Sequence, residues 1–180
     1  MKFIFTLLIV ISSVCAAQRY VPSDKESRVH FTIRNFGIKT GGDLTNLSGE
    51  IFFFRTDMNA TRMNVSVEAS TIDTDNNTRD SHLKDEEYFD VANHPLITLS
   101  STKIEQTNKT DDGYYYFTGN LTMRGITKEI TFPFKVEKTN DDYLFTGEFE
   151  INRLDFEIGS NSAVLSNTVN VSLSVLAKKA

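Results

Sequence analysis

The feature that most constrains this chain is alternation: from Arg28 onward apolar and polar residues take turns with period two, the pattern of half-buried strands rather than helices. Val29, Phe31 and Ile33 share one face, while Arg28, His30, Thr32 and Arg34 take the other. After a Gly-rich connection containing Gly37, Gly41 and Gly42, the pattern continues through Ile51 and Phe53, then Met63, Val65, Val67 and Ala69, then Ile97 and Leu99. The second half repeats it in Tyr115, Phe117, Leu121 and Met123, in Ile130, Phe132, Phe134 and Val136, in Phe145, Phe149 and Ile151, and in Val169, Val171, Leu173 and Val175. Turn signals stand between them at Asp111-Asp112-Gly113, Arg124-Gly125, Asn140-Asp141-Asp142 and Gly159-Ser160-Asn161. With a period expected to hold without drift, this spacing predicts about eight strands in an antiparallel meander of short hairpins.

Such a sheet must bury its one apolar face, by closing into a barrel or stacking as a sandwich. Closure also removes the free edges at which β-rich chains recruit one another. A barrel of about eight strands has an interior just wide enough for side chains or one small ligand. The inward residues read from the alternation are Phe, Val, Ile and Leu with no charge among them, so a cavity here selects an apolar guest.

The 180 residues suffice for one domain with a real core. Residues 1–17 read as a secretory signal: Lys2, an apolar or small run from Phe3 to Val14, and Cys15-Ala16-Ala17 at the cleavage site, leaving a single domain over 18–180. The run is well short of the ~20 residues that span a bilayer. Export to the periplasm or medium is therefore expected. Cys15, the only cysteine, leaves with the signal, and the exported chain has to be stable without disulfides. Lipoprotein acylation at Cys15 is a competing reading, against which bulky Val14 stands where a small residue normally precedes the cysteine. The net charge of −5, and the lack of a basic cluster, argue against nucleic acid as a partner.

One long stretch breaks the alternation: Thr71 to Pro95, dense in ionisable side chains. Asp73-Thr74-Asp75-Asn76-Asn77 begins like a calcium loop, but Thr78 replaces the turn glycine and Lys84 the bidentate glutamate. Ile72-Asp73-Thr74 resembles an aspartic-protease strand, yet Asp75 replaces the glycine and no second copy exists to share a proton. His30, His82 and His94 lack the spacing of a helical metal pair, and no serine sits in a Gly-x-Ser-x-Gly elbow. No metal or other cofactor is expected. The segment instead suits a short helix through Leu83, capped by Asn77 or Thr78, with Leu83, Tyr88 and Phe89 as an apolar underside. It is expected to fold over one barrel end, tied down by Arg79, Asp80 and His82. Asn64, Asn120 and Asn170 head Asn-x-Ser/Thr triplets but read as polar strand residues without glycans.

Four motifs in order resemble the YceI-like family of exported lipid-binding barrels. They are Phe36-Gly37-Ile38 leading to Leu47-Ser48-Gly49-Glu50-Ile51; Ile72-Asp73-Thr74 with Arg79-Asp80-Ser81-His82-Leu83, Tyr88-Phe89-Asp90 and His94-Pro95; Gly119 to Thr127; and Asn152-Arg153-Leu154-Asp155-Phe156. Departures are Leu99, where the family often has an aromatic, and Glu157, where a glycine is common. The resemblance implies an all-β, lipocalin-like antiparallel barrel of about eight strands with a short helix in the 71–95 excursion, holding a polyisoprenoid or other amphiphilic lipid.

Candidate ligand-lining residues are Phe31, Ile33, Val65, Val67, Leu99, Phe117, Phe132, Phe134, Phe149 and Val171, with Arg79, Asp80 and His82 at the rim facing a headgroup. The alternative for the first set is that these side chains fill the barrel themselves. The leading expectation is a non-enzymatic carrier or store for an isoprenoid or fatty amphiphile in the bacterial envelope. Transient membrane contact and pairing of two barrels are left open by the residues. Rivals are an exported enzyme using Asp80 and His82 as acid and base at the mouth, and a solid-cored stress or interaction protein.

Overall fold

The computed structural model describes residues 18–107 and 113–180; the predicted signal, Cys15 and the Asp111-Asp112 turn signal lie outside the described residues. Ten strands form one antiparallel sheet: β1 (Arg19–Pro22), β2 (Arg28–Asn35), β3 (Ile38–Leu44), β4 (Ser48–Phe52), β5 (Arg62–Glu68), β6 (Leu96–Gln106), β7 (Tyr114–Met123), β8 (Ile126–Thr139), β9 (Asp142–Asn152) and β10 (Leu165–Lys179). β1 and β2 both pair with the same edge of β10, so they act as one stave interrupted by a 3-10 turn at Asp24–Glu26. β3 and β4 likewise run in succession beside that stave, through the β2–β3 and β1–β4 pairings. The β1–β10 contact closes the ring, and the result is an eight-stave antiparallel barrel with, among the described residues, one short α-helix. The expected fold is the observed one.

Two departures from the sequence expectations have clear causes. Most of the Gly-rich connection is strand β3: Gly37 does sit in the turn, but Gly41 and Gly42 lie in the strand, where they serve close approach. Phe31 faces Gly42 in the register, and a Cβ at Gly42 would stand 2.7 Å from both the Phe31 ring and the Asp73 carbonyl. The period also drifts in β6: the β6–β7 register shifts between Ser101 and Lys103, and the inward set changes from Ile97 and Leu99 to Ile104. An extra residue in one strand of a pair moves all later side chains to the opposite face.

The excursion begins with a 3-10 turn at Ala69–Thr71, crosses to β3 through a two-way backbone bridge between Asp43 and Asp73, and forms helix α1 (Asn77–Lys84). Its cap is Asn76, and not Asn77 or Thr78 as expected. Asn76 keeps an extended backbone, and its side-chain oxygen accepts from the Arg79 amide at 3.0 Å, satisfying one of the helix's free first-turn donors.

The two barrel ends are filled differently. At the end where β1, β4, β7, β8 and β9 meet, Phe53 is fully buried, with Tyr115, Tyr143 and Phe145 edge-on around it at 5.2 to 5.5 Å between ring centres. Edge-to-face contacts of this kind add to area burial. At the other end, under α1, the inward side chains are mostly aliphatic and leave space.

Candidate functional site

That space is a cavity of about 580 Å³. Its wall is built from alternate residues of several staves: Val29, Phe31 and Ile33 of β2, Val65 and Val67 of β5, Ile97 and Leu99 of β6, Phe149 and Ile151 of β9, and Val169, Val171 and Leu173 of β10. Leu83, Tyr88 and Phe89 of the excursion complete it from above. The period-two rule accounts for the apolar strand positions of this wall, because in each strand every second side chain points inward.

The structure divides the ten candidate lining residues into two sets. Phe31, Ile33, Val65, Val67, Leu99, Phe149 and Val171 face the cavity. Phe117, Phe132 and Phe134 do not; they belong to the packed aromatic core. Phe117 and Phe132 stack at 4.9 Å, and Phe132 stacks on Phe149 at 4.6 Å, so these rings form a floor whose exposed member is Phe149. Two glycines make room for them. A Cβ at Gly119 would lie 2.7 Å from the Phe117 ring, and one at Gly147 would lie 3.1 Å from the Phe132 ring.

The three rim candidates also separate. Arg79 and His82 reach the cavity, while Asp80 is buried away from it. One Asp80 oxygen accepts from the Thr74 amide at 3.0 Å and from the Thr74 hydroxyl. Arg79 donates from Nε to the Thr74 hydroxyl oxygen at 2.7 Å and from its terminal nitrogen to the Thr74 carbonyl at 2.5 Å. Thr74 is thus the knot that holds α1 to the chain crossing from β3. His30 pairs instead with Asp43, which Arg28 also grips at 2.7 Å, and these hydrogen bonds, that of Arg28 foremost, hold the Asp43 carboxyl below the usual range. Among the described residues no cluster of three or more His, Cys, Asp or Glu side chains suited to a metal forms.

Among the lining residues outside the expected set is a buried cation, Arg153, only 3% exposed, at the mouth of the cavity. Its guanidinium donates to the carbonyls of Ile158, Ser160 and Ser166 and to the Asn167 side chain, at 2.8 to 3.0 Å. Burial pulls its pKa down, with Tyr88 opposing. The cavity is therefore not free of charge. Its basic lining side chains are His30, Arg79, His82 and Arg153, and no carboxylate is among the lining residues. The only hint in the sequence was the place of Arg153 in the Asn-Arg-Leu-Asp-Phe motif.

The other motif residues brace this mouth. The Tyr88 ring lies against Gly159, where a Cβ would come within 2.9 Å, and the His94 ring lies against Gly125, where it would come within 2.8 Å. Arg124, at the β7–β8 turn, donates to the Glu86 carbonyl at 2.8 Å and to the Glu157 carbonyl. Three loops distant in sequence are thereby fixed around one opening.

Comparison with known proteins gives a consistent picture. The sequence model of the YceI-like domain matches residues 20–177. The chain is 30% identical over 180 aligned positions to protein YceI of Salmonella arizonae, covering 94% of this chain and 91% of that protein. Its fold matches the crystal structure of BcnA from Burkholderia cenocepacia with a TM-score of 0.80 at 19% identity, over 87% of this chain and 99% of that one. It also matches a polyisoprenoid binding domain from Saccharophagus degradans, described as implicated in plant cell wall breakdown, with a TM-score of 0.72 at 13% identity, over 89% and 98% of the respective chains.

Proposed function

The chain belongs to the YceI-like family, and from that membership and the shape of its interior we propose that it binds a long apolar or amphiphilic lipid inside the barrel. The observation that carries this reading is the apolar cavity of about 580 Å³ with basic groups at its α1 end and no carboxylate in its lining. A chain of methylenes or isoprene units enters past α1 and runs down to Phe149, and each methylene taken from water contributes ~0.8 kcal/mol. Arg79, His82 and Arg153 suit an anionic headgroup held at the mouth. Asp80 serves them indirectly, by fixing Thr74 and with it Arg79. The description of the Saccharophagus domain as polyisoprenoid binding supports the same class of guest.

Size limits that guest. A cavity of ~150 Å³ accepts one six-carbon ring, so this volume holds roughly two dozen carbons at most, and a longer lipid leaves its tail or headgroup outside. The protein acts without chemistry, as an exported carrier or store in the periplasm or medium, and the 1–17 leader supports that location. The acid–base rival is disfavoured because the Asp80 carboxylate is engaged by Thr74 and does not line the cavity with His82.

Native mass spectrometry of protein purified mildly from its own cells tests the reading. A co-purifying lipid, or stoichiometric uptake of an added prenyl or fatty amphiphile, is the expected result. Neither under any mild preparation contradicts it.

A further inference from the structure

We propose that the β2–β3 hairpin tip is a membrane-docking element that brings the cavity mouth onto an anionic lipid surface; its purpose rests on the lipid-binding reading above, but its test does not. Phe36 and Ile38 are 73% and 71% exposed, and Val164, whose carbonyl accepts from the Phe36 amide at 2.9 Å, is 42% exposed. Three large apolar side chains thus share one projecting corner. The corner stands at the rim, since Asn35 and Thr40 of the hairpin and Leu165, next to Val164, all line the cavity.

The turn is built in a way that folding alone does not favour. Phe36 has φ 50° and Gly37 φ 76°, the left-handed pair of a tight hairpin turn, a place for Asn or Gly rather than a bulky ring. The same conformation at Asn140 is taken by a favoured residue, and at Arg124 (φ 49°) the guanidinium binds two loop carbonyls. Phe36 projects into solvent instead. Burial of its ring in the acyl boundary of a bilayer supplies what the folded chain withholds.

Charge selects the kind of surface. The chain carries −5 overall, yet the hairpin tip, residues 34–42, contains Arg34 and Lys39 and no acid; Glu148 and Glu150 share the outer groove with these two cations but stand further from the tip, level with His30 and Thr32. Arg34 donates to the Gly37 carbonyl at 3.4 Å, which holds its charge beside the apolar tip. Apolar residues flanked by cations fit a surface of anionic lipid.

The chain contains no tryptophan, so a single one reports its own surroundings. Phe36→Trp and, as a control at the opposite barrel end, Tyr116→Trp are compared on protein purified from its own cells, with vesicles of phosphatidylcholine alone or containing phosphatidylglycerol. Emission from position 36 is expected to shift to the blue with the anionic vesicles, less so as salt rises, while position 116 stays unchanged. Phe36→Asn, which suits the turn and therefore folds, is expected to weaken vesicle binding at least about tenfold. Arg34→Gln and Lys39→Gln are each expected to weaken it about fivefold. Equal shifts at 36 and 116, or Phe36→Asn binding as tightly as its parent, overturn the proposal. A shift at position 36 on concentrating the protein without vesicles also overturns it, in favour of a second copy of the chain. Cavity loading of the same variants, read by native mass spectrometry, separates the two readings: vesicle docking without loading leaves this one standing and removes the carrier function.

Discussion

The two ends of the barrel obey the same alternation and reach opposite outcomes. At the lower end Phe53, Tyr115, Phe134, Tyr143 and Phe145 span the interior and meet ring to ring. Under α1 the inward positions are filled mainly by Val, Ile and Leu, which do not reach across, and a cavity of about 580 Å³ results. In a barrel of fixed width, side-chain reach and not polarity decides whether a stretch is core or container. The aromatic end supplies stability, and the aliphatic end gives up packing for capacity.

The sharpest way to break this contrast is truncation at both ends. Phe53→Ala is expected to cost about 3–5 kcal/mol in denaturant unfolding, because its surroundings are complete and leave a void. Leu99→Ala, at a wall that already borders empty space, is expected to cost under about 2 kcal/mol and to weaken lipid binding instead. Equal losses of stability remove the distinction.

The reverse experiment fills the hollow end. Val171→Phe places a ring where the guest's chain belongs, displacing several methylenes, and is expected to weaken lipid binding by about 1.5–3 kcal/mol in titration calorimetry without lowering the melting temperature. A drop in stability comparable to the loss of affinity means that the wall is already tightly packed.

Smaller effects concern how the excursion is held over the hollow end. Asn76→Ala removes the α1 cap and is expected to cost about 1 kcal/mol, read by thermal melting, with faster exchange of α1 amides than of β7 amides. Asp43 joins the edge of β3 to Arg28 and His30. Its carboxyl is held below the usual range, so its contribution is fully present above the unfolded value of about 3.9 and is lost as pH falls through the lower folded value. Because the pair is well exposed, Asp43→Asn is expected to cost at most about 1 kcal/mol at neutral pH, and nothing once the pH is below the folded value.

Strands, closure and excursion were legible because they depend on period and polarity, which a sequence displays directly. The division of the interior was less so. Phe117, Phe132 and Phe134 alternate as faithfully as Val65 and Val67, and only their ring packing, with room made by Gly119 and Gly147, puts them in the floor and core and not in the wall. Strand β3 was hidden because its glycines signal a turn, whereas their purpose is to let Phe31 and the Asp73–Thr74 backbone come close. The drift in β6 arises from an extra residue that propensity does not mark. Arg153 was missed as a cavity residue because no periodicity announces a buried cation; its acceptors lie mostly on backbone 5 to 13 residues away.

The central claim is that the α1 end encloses a lipid chain and the aromatic end stops it. Titration with a series of fatty or prenyl amphiphiles sharing one anionic headgroup tests it most directly. Affinity is expected to rise with chain length by up to ~0.8 kcal/mol per methylene, and to level off near roughly two dozen carbons as the hollow fills. Affinity that is independent of chain length, or that climbs past this limit unchanged, contradicts the account.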